Sequence, residues 1–186
     1  MDKKVLFLLA EGFEEMEAVI PADLCIRSGI EVVTAGIGGI DITGAHGLSL
    51  IADCEIEDVE DEEFDAVVIP GGLPGAENVA ECAEAVEIIR THAEAGKVIA
   101  AICAAPSFVL GQKTDILSGR KATCYPGCEG RFSSDVKYTG AKVEQDGNVI
   151  TGKGPGAAPE FGAAVIRALL GADNAAKVMA DTLFAE

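Results

Sequence analysis

The stretch that decides the fold reads VIAAICAAP and runs from Val98 to Pro106. Its first five residues are apolar, which is typical of a strand buried on both faces of a sheet. Proline is tolerated in the first turn of a helix and not in its interior, so a helix is predicted to begin beside Pro106. The chain therefore passes from strand to helix at Cys103, which is the arrangement of a nucleophile elbow.

Cys103 has two interpretations in this setting. The free N–H groups and the positive dipole end of the following helix favour a thiolate, which makes Cys103 a candidate nucleophile. Unpaired cysteines are also among the most buried residues of proteins, so an inert core thiol fits the same stretch.

The elbow belongs to a pattern in which strands alternate with helices. Apolar runs predict strands at 5–9, 30–35, 66–69 and 98–102, and helices are predicted at 14–27, 79–93, after 156 and at 172–183. Hairpins are expected at 40–51 and around Asp146-Gly147, and an acidic loop at 55–65. This alternation predicts an α/β fold with a mostly parallel sheet between helices, in a single domain covering 1–186.

Candidate functional groups follow three of these strands. They are Glu14 to Glu17, Gly71-Gly72 and Cys103. Ligands of parallel sheets bind beyond the carboxyl ends of the strands, so these groups are expected to converge. Helix-capping glutamates and a glycine turn are the structural alternatives for the first two groups.

The net charge of the chain argues against two classes of binding partner. The 186 residues contain 14 Lys and Arg against 31 Asp and Glu, a formal net charge of −17. Such a field repels nucleic acid and anionic membranes, and no apolar run approaches the ~18 residues of a membrane span. The sequence therefore predicts neither partner.

The six cysteines are interpreted as reduced thiols of a cytoplasmic protein, because the chain is long and has no export signal. Cys124 and Cys128 are four residues apart without a second ligand pair, and His46 and His92 are isolated. No metal site is therefore predicted.

Four motifs together resemble one known family. EEME at 14–17, PGG at 70–72, AAICAAP at 100–106 and GPG at 154–156 are similar to the motifs of the ThiJ/PfpI superfamily, and most closely to those of its DJ-one (Parkinsonism-associated deglycase) branch, in a bacterial-type member. The resemblance implies a flavodoxin-like fold and a homodimer. It also implies cofactor-independent activity on methylglyoxal, glyoxal or their adducts.

The resemblance also implies roles for individual residues. Cys103 resembles the nucleophile, and Glu17 the protonated glutamate that is hydrogen-bonded to it. Gly71 and Gly72 resemble the backbone donors of an oxyanion hole, and Ala104 is counted with the catalytic site.

One position departs from the pattern, because Tyr125 stands where many relatives have a histidine. A phenol, with a reference pKa of about 10, is a poor general base near neutral pH, which argues against proteolysis. Cys124 is either a pocket residue or a buried structural thiol. His46 either replaces a basic residue of relatives or lies in a surface loop. The departure leaves a second function open, a redox sensor or oxidation-regulated chaperone in which Cys103 becomes a sulfinic acid.

Overall fold

A seven-stranded sheet forms the centre of the structure, a computed structural model that describes residues 3–185. The strands in chain order are β1 (Lys4–Ala10), β2 (Glu31–Ile37), β3 (Asp41–Thr43), β4 (Ser49–Ile51), β5 (Cys54–Glu55), β6 (Ala66–Ile69), β7 (Val98–Ile102), β8 (Lys121–Ala122), β9 (Lys137–Tyr138), β10 (Val143–Asp146) and β11 (Val149–Gly152). The central sheet has the order β10-β11-β7-β6-β1-β2-β5, and its pairings are parallel except for that of β10 with β11.

Helices cover both faces of this sheet. They are α1 (Glu15–Arg27), α2 (Gly75–Glu81), α3 (Ala83–Glu94), α4 (Gly111–Lys113), α5 (Ala158–Leu170) and α6 (Ala172–Asp181). A π-helical segment, Pro106–Leu110, leads into α4, and 3-10 turns span Ile56–Val59, Glu129–Arg131 and Pro155–Ala157. The predicted flavodoxin-like α/β class is confirmed. None of the helices within residues 3–185 is long and apolar enough to cross a bilayer.

Alternation along the central strand divides the core between the two faces. Leu6 and Leu8 of β1 pack in one buried cluster with α3, whereas Val5 and Phe7 pack in another with α1 and α5. Successive side chains of a strand point to opposite faces, and both faces of this sheet are covered. This explains why the predicted strands are unbroken apolar runs.

Two predicted elements differ from the structure, and one strand pair was not predicted. The helix expected at 79–93 is two helices, because Cys82 between α2 and α3 has an extended backbone with ψ 114°. Val79 and Ile89 pack in the same cluster, so the helical spacing continues across the break. The acidic loop at 55–65 contains a 3-10 turn, and Phe64 near its end is buried. The strand pair β8–β9, parallel and separate from the main sheet, carries no clear pattern in the sequence.

Both predicted hairpins are present. β3 pairs with β4, and β10 pairs with β11 around Asp146-Gly147. The second hairpin adds β11 to the sheet beside β7, with Gly152 paired to Ile102. The end of β11 therefore lies next to the elbow.

Candidate active site

Cys103 occupies the elbow between β7 and the helical segment that follows. Its φ is +64°, in the left-handed region, where a non-glycine residue costs about 1–3 kcal/mol. Two backbone hydrogen bonds hold this conformation: Cys103 N–H donates to Gly152 O at 2.9 Å, and Tyr125 N–H donates to Cys103 O at 2.8 Å. The side chain is 8% exposed, so the sulfur is nearly covered.

Glu17 approaches the same sulfur from the first turn of α1. Glu14 begins that helix, and its Oε2 accepts the N–H of Glu17 at 2.8 Å. The Glu17 side chain is fully buried, its Oε2 accepts the N–H of Gly71 at 2.8 Å, and its carboxyl interacts with the Cys103 thiol. The other oxygen, Oε1, is buried and has no hydrogen-bond partner within residues 3–185. The thiol is therefore the polar side chain that this carboxyl faces.

Burial controls the protonation of this pair. It raises the pKa of Glu17 to about 8, against the lowering effect of the Gly71 N–H, so the carboxyl is mostly neutral at pH 7. Burial also raises the pKa of the Cys103 thiol, and a charge on Glu17 raises it further. Each charge opposes the other, so the pair avoids a double negative charge, and both groups are mostly protonated at pH 7. The expectation of a low-pKa thiol at a helix end is wrong for the free protein, because desolvation outweighs the local N–H groups.

The backbone N–H groups of the two glycines after β6 face different acceptors. The N–H groups of Gly72 and Ala104 point to the Cys103 sulfur and lower the pKa of the thiol. The prediction of Gly71 as an oxyanion donor is wrong, because its N–H is already bonded to Glu17. Gly72 and Ala104 are therefore the two backbone donors beside the nucleophile.

Close contacts explain why residues without side chains follow β6. A Cβ on Gly71 would lie 2.6 Å from Cys103 Cβ and 2.7 Å from Glu17 Oε2. A Cβ on Gly72, which has φ +85°, would lie 2.5 Å from Glu14 N and Gly12 O. Glycine is thus required at both positions for the strand ends to meet.

Tyr125 is bonded to the elbow through its backbone N–H and borders a cleft beside it. Its side chain is 49% exposed and borders a cleft of about 500 Å³ whose walls include Pro126 and Gly154. Cys124, the preceding residue, is fully buried and does not border this cleft, and burial raises the pKa of its thiol to about 11. The structural interpretation of Cys124 is therefore the correct one.

His46 belongs to a neighbouring cluster and not to the elbow. Glu15 accepts its backbone N–H at 2.7 Å and lies 2.8 Å from its Nδ1, which fastens the β3–β4 hairpin to α1. Burial raises the pKa of Glu15, but hydrogen bonds from the His46 side chain and from backbone N–H groups outweigh it and bring the pKa to about 2. The same pairing raises the pKa of His46, an exposed surface-loop residue.

Oxygens of Glu14 and Glu15 and a ring nitrogen of His46 lie within 4.8 Å of one another, close enough for a metal ion. Glu14 caps α1 and Glu15 holds the hairpin, so contacts within the protein account for their positions. The sequence motif EEME thus contains a helix cap, a hairpin anchor and a site carboxyl.

Sequence reasoning did not single out Glu15 as an anchor or Lys153 as a cleft residue. Lys153 directly follows β11 and borders the cleft of Tyr125. The sequence feature that could have identified it is its position at the carboxyl end of a strand that lies beside β7. Identifying it required knowledge of the strand order.

Comparisons with known proteins agree with this arrangement. The model of the DJ-1/PfpI family matches residues 3–168. The chain is 38% identical over 153 residues to a protein of Pyrococcus horikoshii named Deglycase PH1704, covering 82% of this chain and 90% of that protein. It is 33% identical to "Glutathione-independent glyoxalase DJR-1.2" of Caenorhabditis elegans over 174 residues, covering 92% and 91%.

Among solved structures, oxidized DJ-1 of Toxoplasma gondii superimposes with a TM-score of 0.95 at 37% identity, covering 99% of this chain and all of that one. The family match, the identities and the superposition each extend over most of the chain. Together with the elbow and its glutamate, they show that the chain belongs to the DJ-1/PfpI family.

Proposed function

We propose that this protein is a cofactor-independent glyoxalase- or deglycase-like enzyme that acts on methylglyoxal, glyoxal or their adducts through Cys103. The observation that carries the proposal is the contact of a buried carboxyl of raised pKa, Glu17, with a thiol on a strained elbow. A relative named a glyoxalase and another named a deglycase support the small carbonyl class of substrate.

The first step joins the sulfur to the aldehyde. Ionised Glu17 accepts the thiol proton, the sulfur pair forms a C–S bond, and the carbonyl pair moves to oxygen. The N–H groups of Gly72 and Ala104, which point to the sulfur in the free protein, are placed to donate to that oxygen. The oxygen then takes the proton that Glu17 accepted, which gives a hemithioacetal and leaves Glu17 ionised for the next step.

The second step redistributes hydrogen within the substrate. Glu17 takes the proton from the former aldehyde carbon and returns it to the neighbouring carbon. The hemithioacetal hydroxyl loses its proton and becomes the carbonyl oxygen of a thioester, and that proton goes to the former ketone oxygen. Water then cleaves the thioester, so an α-oxoaldehyde and one water give a 2-hydroxycarboxylate. A pKa near 8 suits a group that both accepts and returns a proton near neutral pH.

The test is formation of lactate from methylglyoxal without glutathione. Wild type is expected to form it, and Cys103→Ser is expected to be inactive. Cys54→Ser, which changes a partly buried thiol on the edge strand β5, is the matched control and should retain the wild-type rate. Equal rates in wild type and Cys103→Ser would refute the proposal.

A redox function is the second candidate. Backbone donors and a neutral carboxyl surround the sulfur, which favours a sulfinate once an oxidant such as peroxide has supplied the oxygens. Peroxide treatment followed by peptide mass mapping distinguishes the two candidates. Oxidation confined to Cys103, in a protein that does not consume methylglyoxal, would favour the redox role.

Two further predictions remain proposals. All six cysteines are unpaired, which supports a cytoplasmic location. Exposed apolar side chains on α1 and the β3–β4 hairpin support a homodimer.

A further inference from the structure

The cleft beside Tyr125 has an unbalanced positive charge that the proposed reaction does not use. Its polar side chains are those of Tyr125, Lys142 and Lys153, and its remaining walls are formed by proline, glycine and alanine. No carboxylate borders it among residues 3–185. In a chain with a formal net charge of −17, a cleft bordered by two lysines and no acid differs in sign from most of the surface.

The two lysines are not equivalent. The Nζ of Lys142 forms an ion pair with Glu160, so its charge is compensated. The Nζ of Lys153 donates to Gly140 O at 3.2 Å and has no carboxylate within 4.0 Å in the part of the chain described. An ammonium group has three donors, so Lys153 keeps donors and a positive charge for a ligand.

The position of Lys153 links it to the nucleophile. It directly follows Gly152, whose carbonyl accepts the N–H of Cys103 at 2.9 Å. The opposite wall is bonded to the same residue, because Tyr125 N–H donates to Cys103 O at 2.8 Å. Both walls of the cleft are therefore fixed to the peptide groups of the elbow.

We infer, on the basis of the proposed function, that Lys153 binds an anionic group on the carbonyl substrate, at the end away from the aldehyde. The apolar walls of the cleft accommodate the carbon chain between the two ends, and the ammonium group pairs with a terminal carboxylate or phosphate. The substrate class is thus an α-oxoaldehyde with a distal anion, and not uncharged methylglyoxal alone.

The first test compares substrates of equal chain length. Dioxovalerate has a distal carboxylate and propylglyoxal has none; hydroxypyruvaldehyde phosphate tests a phosphate. The ratio of kcat/KM for dioxovalerate over propylglyoxal is expected to fall about 10-fold in Lys153→Met, the size of one hydrogen bond between charged groups. Lys153→Arg should retain the ratio, and so should Lys177→Met, whose lysine pairs with Asp181 on α6.

The phosphate substrate identifies the preferred anion. A larger loss for hydroxypyruvaldehyde phosphate than for dioxovalerate in Lys153→Met assigns the site to phosphate, and the reverse assigns it to carboxylate. Equal kcat/KM ratios in wild type and Lys153→Met for both anions would overturn the inference.

A second test does not depend on turnover. Cys103 is alkylated with iodoacetate, which is an anion, and with uncharged iodoacetamide. Peptide mapping measures both rates, and the ratio is the rate with iodoacetate divided by the rate with iodoacetamide. The ratio should fall in Lys153→Met and should fall in wild type as salt is added, because a partly exposed charge is screened. A changed alkylation ratio without any α-oxoaldehyde turnover would refute the proposed function alone, whereas an unchanged ratio counts against Lys153 itself.

Discussion

The Glu17 carboxyl accepts the backbone N–H of Gly71 at 2.8 Å, and a Cβ on Gly71 would meet the same carboxyl oxygen at 2.7 Å. One glycine therefore both holds the site carboxyl and leaves room for it. Substitution of Glu17 tests the protonation of the carboxyl, and substitution of Gly71 tests the need for a residue without a side chain.

The stability of the protein is predicted to decrease with pH between about 5 and 8 because of Glu17. The unfolded carboxyl, with an ordinary pKa of 4.5, has released its proton in this range, whereas the folded one, at about 8, still holds it. The folded state thus binds more protons, and its free energy of unfolding falls by up to about 1.4 kcal/mol per pH unit. Glu17→Gln should lose this slope.

Guanidinium unfolding curves at several pH values measure this effect. Glu87→Gln, which changes an exposed glutamate of α3, is the control and should retain the wild-type slope. If the free energy of unfolding depends on pH equally in wild type and Glu17→Gln, then Glu17 is ionised in the folded protein throughout this range.

Gly71→Ala is predicted to damage both stability and activity. The new methyl group meets Cys103 Cβ at 2.6 Å and Ile102 O at 2.8 Å, and neither can move away without displacing the elbow. Overpacking of this kind costs about 1–3 kcal/mol. Gly130→Ala, at an exposed position with no heavy atom within 4 Å of the new Cβ, is the matched control for denaturant midpoints and turnover.

Tyr125→His is predicted to increase the consumption of methylglyoxal. The backbone N–H at this position donates to Cys103 O, so an imidazole here would lie next to the elbow. It titrates near neutral pH, and general acid–base assistance is worth about 10²–10⁴-fold when well aligned. Steady-state rates of wild type, Tyr125→His and Tyr125→Phe give the comparison. An unchanged rate in Tyr125→His would leave proton transfer to Glu17 alone.

The protein is predicted to be a homodimer through α1 and the β3–β4 hairpin. This surface exposes several large apolar side chains, namely Met16, Val19, Ile26, Leu48 and Ile51. Ile51→Lys should shift the mass measured by light scattering from two chains to one, because it places a charge in the apolar contact. Leu183→Lys changes an exposed leucine outside this surface and should leave the mass unchanged. A monomeric wild type would contradict the prediction.

The sequence predicted the elements with unambiguous patterns. β7 is a continuous apolar run that ends at Cys103, and Asp146-Gly147 specifies a tight turn, so both were located correctly. The break at Cys82 was missed because the residues on either side bury the same face, and hydrophobic periodicity does not register a change of direction.

The composition of the site was predicted better than its hydrogen bonding. The strand ends bring Cys103, Glu17 and the glycines together, as parallel-sheet topology requires. The acceptor that each backbone N–H faces depends on the local orientation of its peptide group. The sequence therefore could not show that the N–H of Gly71 faces Glu17 whereas the N–H of Ala104 faces the Cys103 sulfur. The direction of the thiol pKa was likewise decided by burial, which the sequence does not specify for a single residue.

The two glutamates at positions 15 and 17 have pKa values of about 2 and about 8, on opposite sides of the ordinary value. One has therefore lost its proton, and the other keeps it, throughout the mildly acidic range in which an ordinary glutamate titrates. The combined charge of these two carboxyls stays at minus one while the surrounding acidic surface gains protons. The electrostatic surroundings that they give the nucleophile are thus insulated from moderate acidification of the medium.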